Sequence, residues 1–168
     1  NAVSVATGGR APTPTPRLSP TTSSCGLCGS TTLDELSERL SPLPATEPFT
    51  PERLLEAAAK AVVDQELFSA TGAVHAAAAF DRDGTILVLR EDIGRHNAVD
   101  KVVGHLLLED ALPATGLGLF VSGRASFEIV QKAWAAGFAA VVAVSAPSAL
   151  AVDTARAAGL QLARFARN

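Results

Sequence analysis

The residues best equipped for chemistry are two thiols. Cys25 and Cys28 are the only cysteines in 168 residues, and they stand in the segment Thr21-Thr22-Ser23-Ser24-Cys25-Gly26-Leu27-Cys28-Gly29. Gly26 and Gly29 permit backbone angles closed to other residues and leave little bulk around either sulfur. The segment has neither helical nor strand periodicity, so it predicts a loop that presents both thiols. A presented thiolate can attack, carry or exchange sulfur. No Lys, Arg or His lies within six residues of either cysteine, and Asp34, Glu35 and Glu38 follow. Activation would then come from a donor enzyme, from the ligand or from the fold. A C-x-x-C pair also serves thioredoxin-like oxidoreductases, but there it opens a helix after a strand, and here it follows a proline-containing linker. For zinc the pair supplies two of four ligands, and His75, His96 and His105 have no metal-ligand spacing to it. No metal site is expected.

A second chemistry sits at three junctions: Arg90-Glu91-Asp92-Ile93-Gly94-Arg95-His96-Asn97, Ser122-Gly123-Arg124-Ala125-Ser126 and Ser145-Ala146-Pro147-Ser148. Each follows a predicted strand and opens a predicted helix, so each offers unpaired backbone amides to an anion. Arg95 and Arg124 can fork onto phosphate oxygens. In a parallel sheet such junctions share the carboxyl edge, where ligands bind. Together they predict a phosphate-bearing ligand. The plainer alternative makes Ser145, Ser148 and Asn97 helix caps and pairs Arg95 and Arg124 with Glu91, Asp92 or Glu128. His96, beside Arg95, has equal claim to ligand and to structure. His75 reads as a core histidine, His105 as structural or exposed, and Phe127 and Trp134 as packing.

The elements that must position these residues follow from periodicity. Thr50 caps and Pro51 opens a helix over 51–69, with Leu55, Ala58, Val62 and Val63 on its inner stripe. A hairpin over 74–80 and 86–89 turns at Asp81-Arg82-Asp83-Gly84. A helix over 94–108 carries Val99, Val102, Val103 and Leu106, and a strand spans 117–121. Phe127, Val130 and Trp134 mark the next helix, followed by a strand over 139–144. A helix over 148–158 closes at Gly159, and 160–165 adds a last strand. Alternation of this kind predicts an α/β fold in three layers, α/β/α, around a mixed sheet. Residues 1–20 read as a flexible linker. Residues 21–50 hold the cysteine loop and a short helix over 33–40, and 51–168 form the ligand-binding α/β domain, which the resemblance below makes cofactor-binding.

Composition narrows the function. With 48% apolar residues the chain can bury one real core. A net charge of −3 argues against nucleic acid or an anionic membrane surface as the main partner. The longest apolar run, over 133–144, is too short to cross a bilayer. Two cysteines make no disulfide framework, so a reducing, cytoplasmic setting is expected.

Five blocks, in order, resemble the FdhD/NarQ family of formate dehydrogenase accessory proteins. They are Ser23-Ser24-Cys25-Gly26-Leu27-Cys28-Gly29, Thr71-Gly72-Ala73-Val74-His75-Ala76-Ala77, Arg90 through Lys101, Ser122-Gly123-Arg124-Ala125-Ser126-Phe127-Glu128, and Ser145-Ala146-Pro147-Ser148-Ala149-Leu150-Ala151-Val152. The resemblance covers about Arg17 to Asn168. It implies a cytoplasmic sulfurtransferase, a carrier that takes persulfide sulfur from a cysteine desulfurase. The sulfur passes to the molybdenum bis(guanine dinucleotide) cofactor before insertion into formate dehydrogenase. It also implies a cytidine-deaminase-like topology, a homodimer, and a guanine-nucleotide site for which GDP is an analogue. Cys25 and Cys28 take the place of the family's paired cysteines, with Cys25 as persulfide carrier. Phe165, Ala166, Arg167 and Asn168 take the place of its cofactor-binding stretch. The ligand is then expected across Glu91, Asp92, Arg95, His96 and Asn97 and across Ser122, Gly123 and Arg124. The zinc-deaminase signature H-x-E with a later P-C-x-x-C is missing, so deamination is not expected. Family members carry a β-rich domain ahead of the cysteines and extend past the position of Asn168. The chain, which lacks an initial methionine, is therefore expected to be their C-terminal domain. The alternative function is a cofactor-binding chaperone that moves no sulfur.

Overall fold

In the computed structural model, which describes residues 39–164 and the isolated Gly8, the first regular helix begins where the capping residues place it. Thr50 Oγ1 accepts a hydrogen bond from Arg53 N, and Pro51 fills the first turn of α1 (Pro51–Val63). The single helix expected over 51–69 is in fact two, because the first ends at its C-cap Asp64 and Gln65 separates it from the second. The Gln65 side-chain amide donates to Ala61 O and Val62 O, satisfying carbonyls the broken helix leaves open. The chain restarts as α2 (Glu66–Thr71), which Gly72 closes at a positive φ of 63°. The buried face of α1 is Leu54, Ala57, Ala58 and Ala61, one residue out of step with the expected stripe. Of that stripe only Ala58 is buried, whereas Leu55 and Val63 face solvent.

The sheet holds β1 (His75–Phe80), β2 (Ile86–Asp92), β3 (Gly118–Arg124), β4 (Ala140–Ser145) and β5 (Gln161–Arg164), in the order β2-β1-β3-β4-β5. β1 runs antiparallel to β2 and β3, and β3, β4 and β5 run parallel. The connections are α3 (Arg95–Leu108), α4 (Phe127–Ala136) and α5 (Ala149–Ala158). Strand alternation sorts the core by face. Ala77, Ala79, Leu119 and Val121 pack under α3, α4 and α5. Ala78, Phe80, Phe120 and Val142 pack under α1. The result is the expected three-layer α/β/α architecture around a mixed sheet.

One close approach sets the spacing of the central strands. A Cβ on Gly118 would stand 2.2 Å from Phe80 Cζ, so the fully buried ring lies directly across the bare backbone of β3. Residues 41–49 bind the two helical layers together around the β5 edge. Trp134 Nε1 donates to Ser41 O at 2.8 Å, and Leu43 N donates to Ala158 O at 2.8 Å. Phe49 and Gln161 exchange two hydrogen bonds, at 2.8 and 2.9 Å, before α1 begins on the opposite face. Trp134 is thus both core, as expected, and anchor.

Two strands run further than expected. β2 continues to Asp92, paired with His75, and β3 continues to Arg124, paired with Ser145 after an irregularity between Val121 and Arg124. Glu91, Asp92, Ser122, Gly123 and Arg124 therefore stand on strand ends and not in loops. The linker over 1–20 (Gly8 aside), the cysteine loop and nearly all of the helix over 33–40 lie outside the described residues, as do Phe165, Ala166, Arg167 and Asn168. No helix among the described residues is long and apolar enough to cross a membrane.

Candidate functional site

The strand directions bring the carboxyl ends of β2, β3, β4 and β5 and the amino end of β1 to one edge of the sheet. α3, α4 and α5 all begin there, behind Gly94, Ser126 and Ser148. The described residues of all three expected junctions meet on that edge.

Several of them are committed to holding the edge together. Glu91 turns its carboxylate onto the start of α2, accepting from Leu67 N and Phe68 N at 2.8 Å each. An anion at a helix start offsets both the unpaired amides and the macrodipole. Asp92 Oδ1 accepts from Gly94 N at 2.9 Å and from Asn97 Nδ2 at 3.1 Å, and Lys101 Nζ reaches Oδ2 at 2.7 Å. Lys101, then the Gly94 amide and Asn97, hold the Asp92 carboxyl down at about 2. Ser148 caps α5 by accepting from Ala151 N. Of the three residues that the plainer sequence reading made caps, only Ser148 is one: Asn97 lies within the first turn of α3 and donates to Asp92, and Ser145 ends β4.

The arginines behave differently. Asp92 pairs with Lys101 and Glu91 caps α2, and the alternative pairing of Arg95 and Arg124 with Glu91, Asp92 or Glu128 does not form. Neither arginine makes an ion pair among the described residues, and Arg95 Nε is buried without a hydrogen-bond partner there. Arg124 is exposed at the end of β3, and Arg164 is exposed at the end of β5 in register with Ala143. The Arg95 side chain crosses Gly123. A Cβ on Gly123 would stand 3.5 Å from Arg95 Cδ and 3.6 Å from His75 Nδ1. Unpaired guanidiniums beside three helix starts form an edge suited to phosphate oxygens.

His96 is buried at the start of α3, with Nε2 4.0 Å from Glu128 Oε2 and no hydrogen-bond partner among the described residues. Burial first, and Arg95 second, lower its pKa below the ordinary 6.5, so the ring is neutral. His75, expected in the core, is half-buried and lines a cavity of about 300 Å³ that opens at the same edge. Its Nδ1 lies 3.5 Å from Ser122 Oγ, a long contact, while Ser122 Oγ accepts firmly from Ala76 N at 2.8 Å. Gln65 and Phe68 also line the cavity, and nothing in their spacing pointed there. Their only sequence signal is the Thr71–Ala77 block that follows. His105, expected to be structural or exposed, is half-buried, with Nδ1 3.3 Å from Arg90 Nη2. Among the described residues no group of three or more His, Cys, Asp or Glu could hold a metal ion.

Fold and site together define a three-layer α/β protein with an anion-receptive sheet edge. The chain belongs to the FdhD/NarQ family, whose profile matches residues 2–168. It is 54% identical over 149 residues to the sulfur carrier protein FdhD of Nocardia farcinica, covering 88% of this chain and 53% of that protein. To the sulfur carrier protein FdhD of Streptomyces coelicolor it is 50% identical over 150 residues, covering 88% and 53%. The chain thus spans about half the length of the curated relatives it matches. A crystal structure of a protein assigned as a formate dehydrogenase accessory protein from Desulfotalea psychrophila superposes with a TM-score of 0.67 at 29% identity. That match covers 79% of this chain and 56% of the other.

Proposed function

We propose that this chain serves formate dehydrogenase maturation as a sulfur carrier whose sheet edge holds the acceptor cofactor. The observation that carries this reading is the pair of unpaired arginines, Arg95 and Arg124, on a receptive edge in a chain half identical to sulfur carriers. The cargo is the molybdenum bis(guanine dinucleotide) cofactor, and its diphosphates supply the anionic oxygens that Arg95, Arg124 and the helix starts would meet. The Cys25 thiolate attacks the outer sulfur of a cysteine desulfurase persulfide. The bond between that sulfur and the desulfurase cysteine breaks, and the desulfurase thiolate leaves. Cys28 then attacks Cys25 Sγ, forming a Cys25–Cys28 disulfide and expelling the outer sulfur as sulfide, a soft ligand suited to molybdenum. A thiol reductant restores the pair. The reading carries with it a homodimer and a cytoplasmic setting, where thiols stay reduced.

Titration with GDP tests the edge. Arg95→Ala and Arg124→Ala should each weaken binding by about tenfold, the worth of one charge-assisted contact, and unchanged affinity in both would remove the site. A cofactor sulfuration assay separates the carrier from a chaperone that moves no sulfur. Cys25→Ala and Cys28→Ala should abolish sulfuration and leave GDP binding intact, whereas a chaperone would lose neither.

A further inference from the structure

The cavity at the carboxyl edge lies outside every ligand contact assigned above except Ser122. Its volume is about 300 Å³, the lower end of the range for ligand pockets, about 300–1,000 Å³. That is room for one ring system and not for a dinucleotide. Val62, Val74 and Val144 supply apolar wall, and Phe68, 40% exposed, supplies an aromatic face.

The polar groups are few and placed. Gln65 is almost wholly buried, and its Nε2 donates to Ala61 O and Val62 O. That leaves Oε1 as an acceptor with no donor among the described residues. Ser122 Oγ accepts from Ala76 N, and its own hydrogen meets only the long 3.5 Å contact with His75 Nδ1, so it can be donated to a ligand. His75 adds an imidazole to the lining. An acceptor, a donor, an imidazole and an aromatic plane suit a flat nitrogen heterocycle. The way out leads to the arginine. His75 Nδ1 and Arg95 Cδ both lie within 3.6 Å of the point where a Gly123 Cβ would stand.

We propose that this cavity seats the heterocyclic ring of the bound cofactor, with Gln65, Phe68 and Ser122 reading the ring while the attached phosphates pass over Gly123 to Arg95. The proposal rests on the reading that the edge binds a guanine-dinucleotide cofactor. Guanine and pterin share a 2-amino-4-oxopyrimidine ring, and the cavity serves that common chemistry.

Calorimetry on the whole chain with GDP, inorganic pyrophosphate and a free pterin tests the division of labour. Ala73→Phe fills the cavity from an exposed position, and Phe68→Ala removes the aromatic face. Thermal melts of both variants verify that each still folds. Each should weaken the ring-bearing ligand by about tenfold and leave pyrophosphate untouched, whereas Arg95→Ala should weaken pyrophosphate. Selective loss of GDP assigns the ring to guanine, and selective loss of the pterin assigns it to pterin; either supports the cavity. Undiminished affinity for both rings in both variants overturns the cavity and leaves the edge reading standing. If the unaltered chain binds none of the three ligands, the edge reading falls, and the cavity with it.

Discussion

Two ionisable groups at the start of α3 give the edge a pH signature. Asp92 is an acid held at about 2 by Lys101, Gly94 and Asn97. Folding favours its charged form, so its stabilisation is complete above the ordinary 3.8 and disappears as pH falls through about 2. His96 is a base held below 6.5, by burial and then by Arg95. Folding favours the neutral ring, so its stabilisation is complete above 6.5 and is lost as pH falls through the lowered value. Both slopes have the same sign, but in separate windows. The melting temperature should therefore decline as pH falls below about 6.5, and His96→Gln, which cannot take up the proton, should flatten that decline. An equally steep decline in His96→Gln would show that another group titrates. The sequence put His96 beside Arg95 and could not say whether it was buried. Burial depends on α4 lying against α3, a tertiary fact.

At the scale of elements, Gly118 and Glu91 carry the tests. Gly118→Ala drives a methyl into the Phe80 ring between β1 and β3. Overpacking of this kind costs about 1–3 kcal/mol, so chemical denaturation should show a loss in that range. A variant as stable as the parent would mean that the two strands are not held at this distance. Glu91→Ala strips the carboxylate from Leu67 N and Phe68 N. Those amides should exchange hydrogen markedly faster while β1 and β3 stay protected, and unchanged exchange would deny Glu91 its role as cap. Element type and order were legible from periodicity, down to the caps at Thr50 and Ser148. The ends of the elements were not. Ser122-Gly123-Arg124 has the composition of a turn, yet β4 extends to Ser145 and gives Arg124 a strand partner. Residues 66–69 read on as helix because nothing in their periodicity shows Gln65 folding back onto Ala61 and Val62.

For the molecule as a whole, a net charge of −3 coexists with an edge where Arg95, Arg124 and Arg164 meet no carboxylate partner among the described residues. Distribution decides, since local charge governs a phosphate ligand. The three junctions read from the sequence do share this edge, and Arg95 and Arg124 form no ion pair there among the described residues. Glu91 and Asp92, read from the sequence as ligand groups, hold a helix start and Lys101 in the structure. In sequence a carboxylate beside an arginine looks the same whether it faces a ligand or a neighbouring element. The sequence missed the cavity because Gln65, Phe68, His75 and Ser122 converge only when β1 lies against β3 under α1. Cys25 and Cys28 lie outside the described residues, and on them the proposed chemistry depends. The most direct measurement is the intact mass of the chain after incubation with a cysteine desulfurase and cysteine. The account predicts one added sulfur atom, mapped by proteolysis to Cys25 and missing from Cys25→Ala. An unchanged mass, or sulfur retained on another residue in Cys25→Ala, would contradict it.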